Sequence, residues 1–363
     1  MVKSLIVNQL ELQIGQMLMV GIGAYELTTT ELNICRYHNF GGFVLFSRNC
    51  CDPTQIHSLC RSLSQTTRDL PFIAVDEEGG RVHRLPPPFS HFPAAAIIGK
   101  TANPDLALRV GRAVGHELTL VGINLNFAPV LDVDSNAANP IIGDRSFGET
   151  PERVAAMALA WSEGLSSSGI IPCGKHFPGH GNTEMDSHLD LPVVAKSLSE
   201  LHELELKPFI HACRRPIQTL MTAHVLFPAL DEELPATLSR RIVTEVLRKE
   251  LGYQGIVFSD DMEMGAIAGN FDLGEAALLA VRAGIDVLLY CHDLAKAVGI
   301  FELLCRKARQ DSQLRARINE SSARISKLKM RCLREQRGVS DHQAVERLLA
   351  LNHRKLIDEV HGS

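Results

Sequence analysis

Gly169-Ile170-Ile171-Pro172-Cys173-Gly174 runs straight into Lys175-His176-Phe177-Pro178-Gly179-His180-Gly181, and Asp186-Ser187-His188 follows a few residues later. The first six residues read as a short buried strand. The next seven set a lysine and two histidines among glycines and a proline. Proline removes a backbone donor and glycine favours turns, so this part is expected to be a loop. Polar groups this dense on a loop are expected to meet a ligand rather than to serve packing. A strand ending in such a loop puts chemistry at a strand's carboxyl end, the usual place in α/β proteins.

Similar apolar runs recur on both sides of it. They are Gln16 to Gly21, Gly42 to Phe46, Phe72 to Asp76, Leu125 to Val130, Gln218 to His224, Gly255 to Asp260 and Asp286 to Tyr290. Helix-length amphipathic segments separate them, among them Pro104 to Leu120 and Pro151 to Leu165. Each opens with a polar residue before Pro, a usual helix start. Eight alternating units predict an α/β fold, a single (β/α)8 TIM barrel. The conspicuous polar residues sit at strand ends: Asp76, Asp132, Lys175, His176, His224 and Asp260. A barrel brings all of these ends to one rim.

With 363 residues, 45% of them hydrophobic and 22% charged, the chain can bury one large core. A net charge of −5 implies no general attraction to nucleic acid or acidic membranes. The first twenty residues lack the unbroken apolar core of a signal peptide, and no later run is long enough to span a bilayer. Nine cysteines without C-x-x-C spacing fit scattered reduced thiols and a cytoplasmic home. Residues 306–337 hold eleven Lys or Arg against three Asp or Glu. This reads as the barrel's last helix with a solvated basic face. Residues 1–337 are thus expected to form the barrel domain and residues 338–363 a helical extension, packed on the barrel or against a second copy.

The residues suggest several chemistries. Asp260 ends an apolar strand and could serve as nucleophile, base or metal ligand. Asp186 and His188 are two apart, so in an extended loop they share a face, and the carboxylate would orient and charge the imidazole. His176, His180 and His188 could instead ligate zinc, but they lie on a Pro/Gly loop rather than on a ligand-presenting helix. Asp132 to Asn136 imitates the start of a calcium loop but lacks its glycine and its bidentate glutamate.

Five ordered motifs together resemble the β-N-acetylglucosaminidases of glycoside hydrolase family 3. They are Val75-Asp76-Glu77-Glu78-Gly79-Gly80-Arg81-Val82-His83-Arg84, Asn124 to Val133, Gly143-Asp144-Arg145-Ser146-Phe147-Gly148, Lys175 to Gly181 with Asp186-Ser187-His188, and Phe258-Ser259-Asp260-Asp261-Met262. The resemblance runs from about Gly15 to Leu328 and is greatest to single-domain cytoplasmic enzymes that recycle peptidoglycan fragments. It implies a retaining, exo-acting hydrolysis of terminal β-linked N-acetylglucosamine. Asp260 would be the nucleophile, and His188, held by Asp186, the acid and then the base. Asp76, Arg84, Arg145, Lys175 and His176 would grip the sugar, and His224 would line the pocket.

The expected substrate is a small carbohydrate, N-acetylglucosaminyl-1,6-anhydro-N-acetylmuramic acid with or without peptide. No cofactor, metal, nucleic acid or membrane is expected as a partner, and the protein would be a monomer or weak homodimer. Glu77 and His83 stand where the family commonly has glutamines, and Met262-Glu263-Met264 replaces a more usual Leu-Ser-Met. The alternatives are a phosphorylase, since a histidine acid/base does not repel phosphate, a non-catalytic sugar-binding barrel, and a metal-dependent hydrolase.

Overall fold

A computed structural model describes residues 8–187, 189–215, 217–333 and 341–362. Eight parallel strands close into a barrel: β1 Leu18–Gly21, β2 Gly42–Leu45, β3 Phe72–Val75, β4 Leu125–Asn126, β5 Ile171–Phe177, β6 Thr219–Thr222, β7 Ile256–Asp261 and β8 Val287–Tyr290. Each pairs with its neighbour in sequence, and β8 returns to β1 through Leu18↔Leu288 and Val20↔Tyr290. Both faces of these strands are covered, which is why they read as continuous apolar runs rather than alternating ones. Every strand residue except Asp260 is buried.

The helices form the outer ring. Asn103 caps helix Pro104–Leu120 by accepting the amides of Asp105 and Leu106. That helix crosses Pro151–Ser167 at unusually close range. A Cβ on Gly111 would lie 2.1 Å from the Trp161 carbonyl oxygen, and one on Gly164 would lie 2.1 Å from that of Leu108.

Two strands differ from the sequence reading. β4 is confined to Leu125–Asn126, although backbone bonds to the neighbouring strands continue beyond it, from Phe127 N–H to the Val75 carbonyl and from Cys173 N–H to the Ala128 carbonyl. β5 extends through Lys175, His176 and Phe177, which were expected in the loop. Neighbouring chains supply their backbone partners: Lys175 N–H donates to the Pro129 carbonyl, Leu131 N–H to that of Lys175, and Ala223 N–H to that of Phe177. Only at Pro178 does the strand stop, so two key side chains sit on a rigid element rather than on a loop.

The basic carboxyl-terminal stretch also differs. It is two helices, Leu294–Ala308 and Ser312–Cys332, the second capped by Asp311. Several of its cations point inward instead of into solvent. Asp286, at the amino end of β8 and fully buried, takes Arg317 at 2.6 Å and Arg324 at 3.2 Å, with Arg248 at 2.5 Å from a third helix. Burial alone would raise this carboxyl's pKa, but the three guanidiniums hold it below the usual range. Lys329 enters the barrel's amino-terminal end, donating to Gln16 Oε1 and the Gly41 carbonyl at 2.7 Å each, beneath the Phe72 ring. Burial pushes its pKa down to about 7.

The extension packs on the barrel. Helices Asp341–Ala350 and Arg354–Gly362 lie against helices Pro53–Ser64 and Pro104–Leu120, with Leu348 and Val360 buried. Arg109 grips Glu359 through two hydrogen bonds of 2.8 and 2.6 Å. The domain boundary read at residue 337 falls within 334–340, outside the described residues. Among the described residues, no helix is long and apolar enough to cross a membrane.

Candidate active site

The carboxyl ends of the strands surround a cavity of about 670 Å³, within the range of small-molecule sites. Asp76, Arg84, Arg145, Lys175, His176, Asp186 and Asp260 all line it. These residues are spread over 185 positions of sequence, and the barrel's topology alone brings them together.

One wall is a charge network. Asp76 and Glu78 follow β3 two residues apart and so face the same way. Lys175, at the end of β5, lies between them, with Nζ 2.7 Å from Asp76 Oδ1 and 2.7 Å from Glu78 Oε1. Arg145, from the turn Gly143–Arg145, meets both Glu78 oxygens at 2.8 and 2.9 Å. Burial opposes ionisation of Glu78, yet Arg145 and Lys175 outweigh it and hold the carboxyl far below its ordinary range. Lys175 is in turn held above its own range by Asp76 and Glu78, against burial. Arg84 stands 4.0 Å from Asp76 Oδ2. The sequence motif does not by itself single out Glu78, although its i, i+2 relation to Asp76 is a usable signal.

Asp132 supports the floor without lining it. Its buried carboxylate accepts the His176 ring at 2.7 Å, the His176 amide at 3.1 Å and the His180 amide at 2.7 Å. A carboxylate can only accept, so the proton of His176 lies on Nδ1 and the ring orientation is fixed. His180, a metal-ligand candidate from sequence, is instead a strut. Its Nδ1 meets Thr183 Oγ1 at 2.9 Å and its Nε2 meets Ser187 Oγ at 3.0 Å. Burial, then His176, push its pKa down to about 4, so it is neutral at physiological pH.

Asp260 projects from β7 into the cavity. Burial would raise its pKa, but His176, His224, the Asp261 amide and Lys175 together hold it below the ordinary carboxylate range. The carboxylate is therefore ionised and ready to attack or to stabilise a cation. Asp186 reaches the cavity from the segment after β5. Its neighbour Ser187 is moored on the β7 side, where the Ala266 amide donates to the Ser187 carbonyl at 3.1 Å. His188 lies outside the described residues.

His224 departs from expectation. It is fully buried and stands behind the cavity, not in its lining. Its Nε2–H donates to the Asp261 carbonyl at 3.0 Å and its Nδ1 meets Thr237 Oγ1 at 2.8 Å. The strand ends at Thr222, so the side chain two residues later turns under the next strand rather than over the rim. It braces the Asp260–Asp261 backbone.

Asp261 has the opposite character to Asp260. Burial, with the charges of Glu263 and Asp260, pushes its pKa up to about 7, against the amides of Glu263 and Cys291. The folded state thus binds this proton more tightly than the unfolded chain. Stability falls as pH rises from the unfolded value, about 3.9, to the folded one. Asp261→Asn should remove that loss. Relative to wild type, the variant is expected to be more stable above about pH 7 than at pH 5 in denaturant melts. Identical pH slopes for the two proteins would refute this.

The glycosyl hydrolase family 3 N-terminal domain matches residues 9–328. A β-hexosaminidase of Pseudomonas aeruginosa is 41% identical over 284 residues, 77% of this chain and 83% of that protein. A family 3 β-N-acetylglucosaminidase from Paenibacillus sp. superposes with a TM-score of 0.88 at 34% identity, covering 97% of this chain and 68% of that one. NagZ from Neisseria gonorrhoeae, in complex with N-trifluoroacetyl-D-glucosamine, gives 0.78 at 33% identity, covering 95% and 97%.

Proposed function

Because this chain belongs to glycosyl hydrolase family 3 and is a β-N-acetylhexosaminidase, we propose that it removes terminal β-linked N-acetylglucosamine by a retaining, two-step mechanism. The observation that carries this reading is Asp260, an ionised carboxylate on a strand end, facing the Asp76–Lys175–Glu78–Arg145 wall across one cavity. The wall offers both acceptors and donors for sugar hydroxyls and an acetamido oxygen. Asp260 attacks the anomeric carbon, and the leaving oxygen departs with a proton. Water then cleaves the glycosyl-enzyme with net retention. In this scheme His188, oriented by Asp186, gives the first proton and takes the second.

The substrate proposed is N-acetylglucosaminyl-1,6-anhydro-N-acetylmuramic acid, free or peptide-bearing, met during cell-wall recycling in the cytoplasm. The protein would act as a monomer or weak homodimer without a cofactor. Buried groups that line the cavity suit a pocket closed at its floor, which admits a chain end rather than a chain middle.

The test is product analysis of that disaccharide in phosphate buffer. Free N-acetylglucosamine of β configuration is expected, and N-acetylglucosamine 1-phosphate would point to a phosphorylase. Asp186→Asn should lower kcat about 100-fold on poor leaving groups. The loss should shrink on a dinitrophenyl glycoside, whose departure needs no proton. An unchanged kcat on both would remove Asp186 from the mechanism.

A further inference from the structure

Arg84 stands at the cavity edge with little to hold its guanidinium. Among the described residues its ion partner is Asp76, at 4.0 Å, and its Nε is buried without a hydrogen-bond partner. An unpaired buried donor is costly, so its placement must be enforced from elsewhere. The restraint lies beneath it. Glu77 alternates with Asp76 and Glu78 and turns away from the cavity. Its backbone is pinned by Asn126, which accepts the Glu77 amide at 2.9 Å and donates to the Glu77 carbonyl at 2.8 Å. Its carboxylate then accepts the Arg84 amide at 3.0 Å through Oε2, and the His83 ring through Oε1. His83 is stacked on His91 at 4.5 Å, and His91 Nε2–H donates to the Gly80 carbonyl at 2.8 Å.

We propose that Glu77 and His83 are positioning residues for Arg84, one carboxylate clamping both residues of the turn so that the guanidinium keeps its free donors toward the oxygens of the bound sugar. Arg84 touches the substrate; Glu77 acts through it, and His83 acts through Glu77. Burial opposes the charge of His83, but Glu77 prevails and raises its pKa, in keeping with an ion pair. Glu117 lies on the far side, accepting the Ser90 amide at 2.9 Å, with His353 of the carboxyl-terminal extension 3.7 Å beyond. The inference rests on the glycosidase reading above.

The experiment is steady-state hydrolysis of a chromogenic β-N-acetylglucosaminide by wild type, Glu77→Leu, Glu77→Gln, Arg84→Ala and the Glu77→Leu/Arg84→Ala double variant. Glu77→Leu should raise KM about tenfold, with kcat changed less than about threefold. Glu77→Gln keeps an acceptor for the Arg84 amide and a donor for the neutral ring, and should stay within about threefold of wild type. The double variant should be no worse than Arg84→Ala alone, since both act through one guanidinium. A normal KM in Glu77→Leu, or full additivity in the double variant, would overturn the proposal. Should Glu77→Leu fail to fold, His83→Ala replaces it, with a KM increase of about threefold expected and an unchanged KM counting against. A wild type inert toward the substrate would instead bring down the glycosidase reading.

Discussion

Asp260→Ala is expected to lose about 10⁴-fold or more in kcat while keeping its fold and its affinity for N-acetylglucosamine. Alanine removes the attacking oxygens but little volume, and the binding wall is built from other strands. Added azide should restore part of the turnover on a dinitrophenyl glycoside and yield an α-glycosyl azide. Azide would enter from the face that the carboxylate has vacated, so the product's configuration reports where the nucleophile stood. A variant that still turned over, or gave a β-azide, would show that the attack comes from another group. Circular dichroism should match wild type, because among the described residues the hydrogen bond of the Asp260 carboxylate is a short-range one, to the Asp261 amide at 2.8 Å.

Glu78→Gln should be the most damaging single change to the site's architecture. The carboxylate neutralises Arg145 bidentately and Lys175 at 2.7 Å, with all three side chains nearly excluded from solvent. Removing one partner of such a group leaves buried charge uncompensated, a loss of about 3–5 kcal/mol. Asp76 would still pair with Lys175, but Arg145 would lose its ion partner. Chemical denaturation should show the stability loss, and KM should rise as the cations relax away from the sugar. A wild-type melting curve with an unchanged KM would mean that the network carries no weight. The pH response follows. With its folded pKa depressed, Glu78 contributes stability that is fully present above the unfolded value, about 4.3, and fades as pH falls below it. The glutamine variant should lack that acid limb.

The barrel was legible because its strands are apolar on both faces and bounded by turns. All eight apolar runs lie at or beside the observed strands, and the cap and proline of Pro104–Leu120 mark that helix to the residue. The end of β5 looks like a loop because its glycines and proline argue against a strand, whereas pairing with Pro129, Leu131 and Ala223 decides the matter. Such long-range partners leave no trace in local sequence. The same limit hid Asp286, whose three arginines come from residues 248, 317 and 324. A stretch rich in Lys and Arg looks solvated when its counter-charge lies outside the window. In the site, strand-end position picked out Asp76, Lys175, His176 and Asp260. It also picked out His224, which strand-end logic sent to the wrong side of the wall.

Lys329 offers a clock for the barrel's own breathing. Its amine is sealed between Gln16 and Gly41, while Lys327, two residues earlier on the same helix, is exposed. An acylating reagent labels Lys327 at a rate set by chemistry and reaches Lys329 only when the helix lifts from the barrel floor. The ratio of the two adducts, read by mass spectrometry from one short peptide, turns a buried amine into a measure of opening frequency. Taken with and without N-acetylglucosamine in the cavity, it would report whether filling one end of the barrel quiets the other.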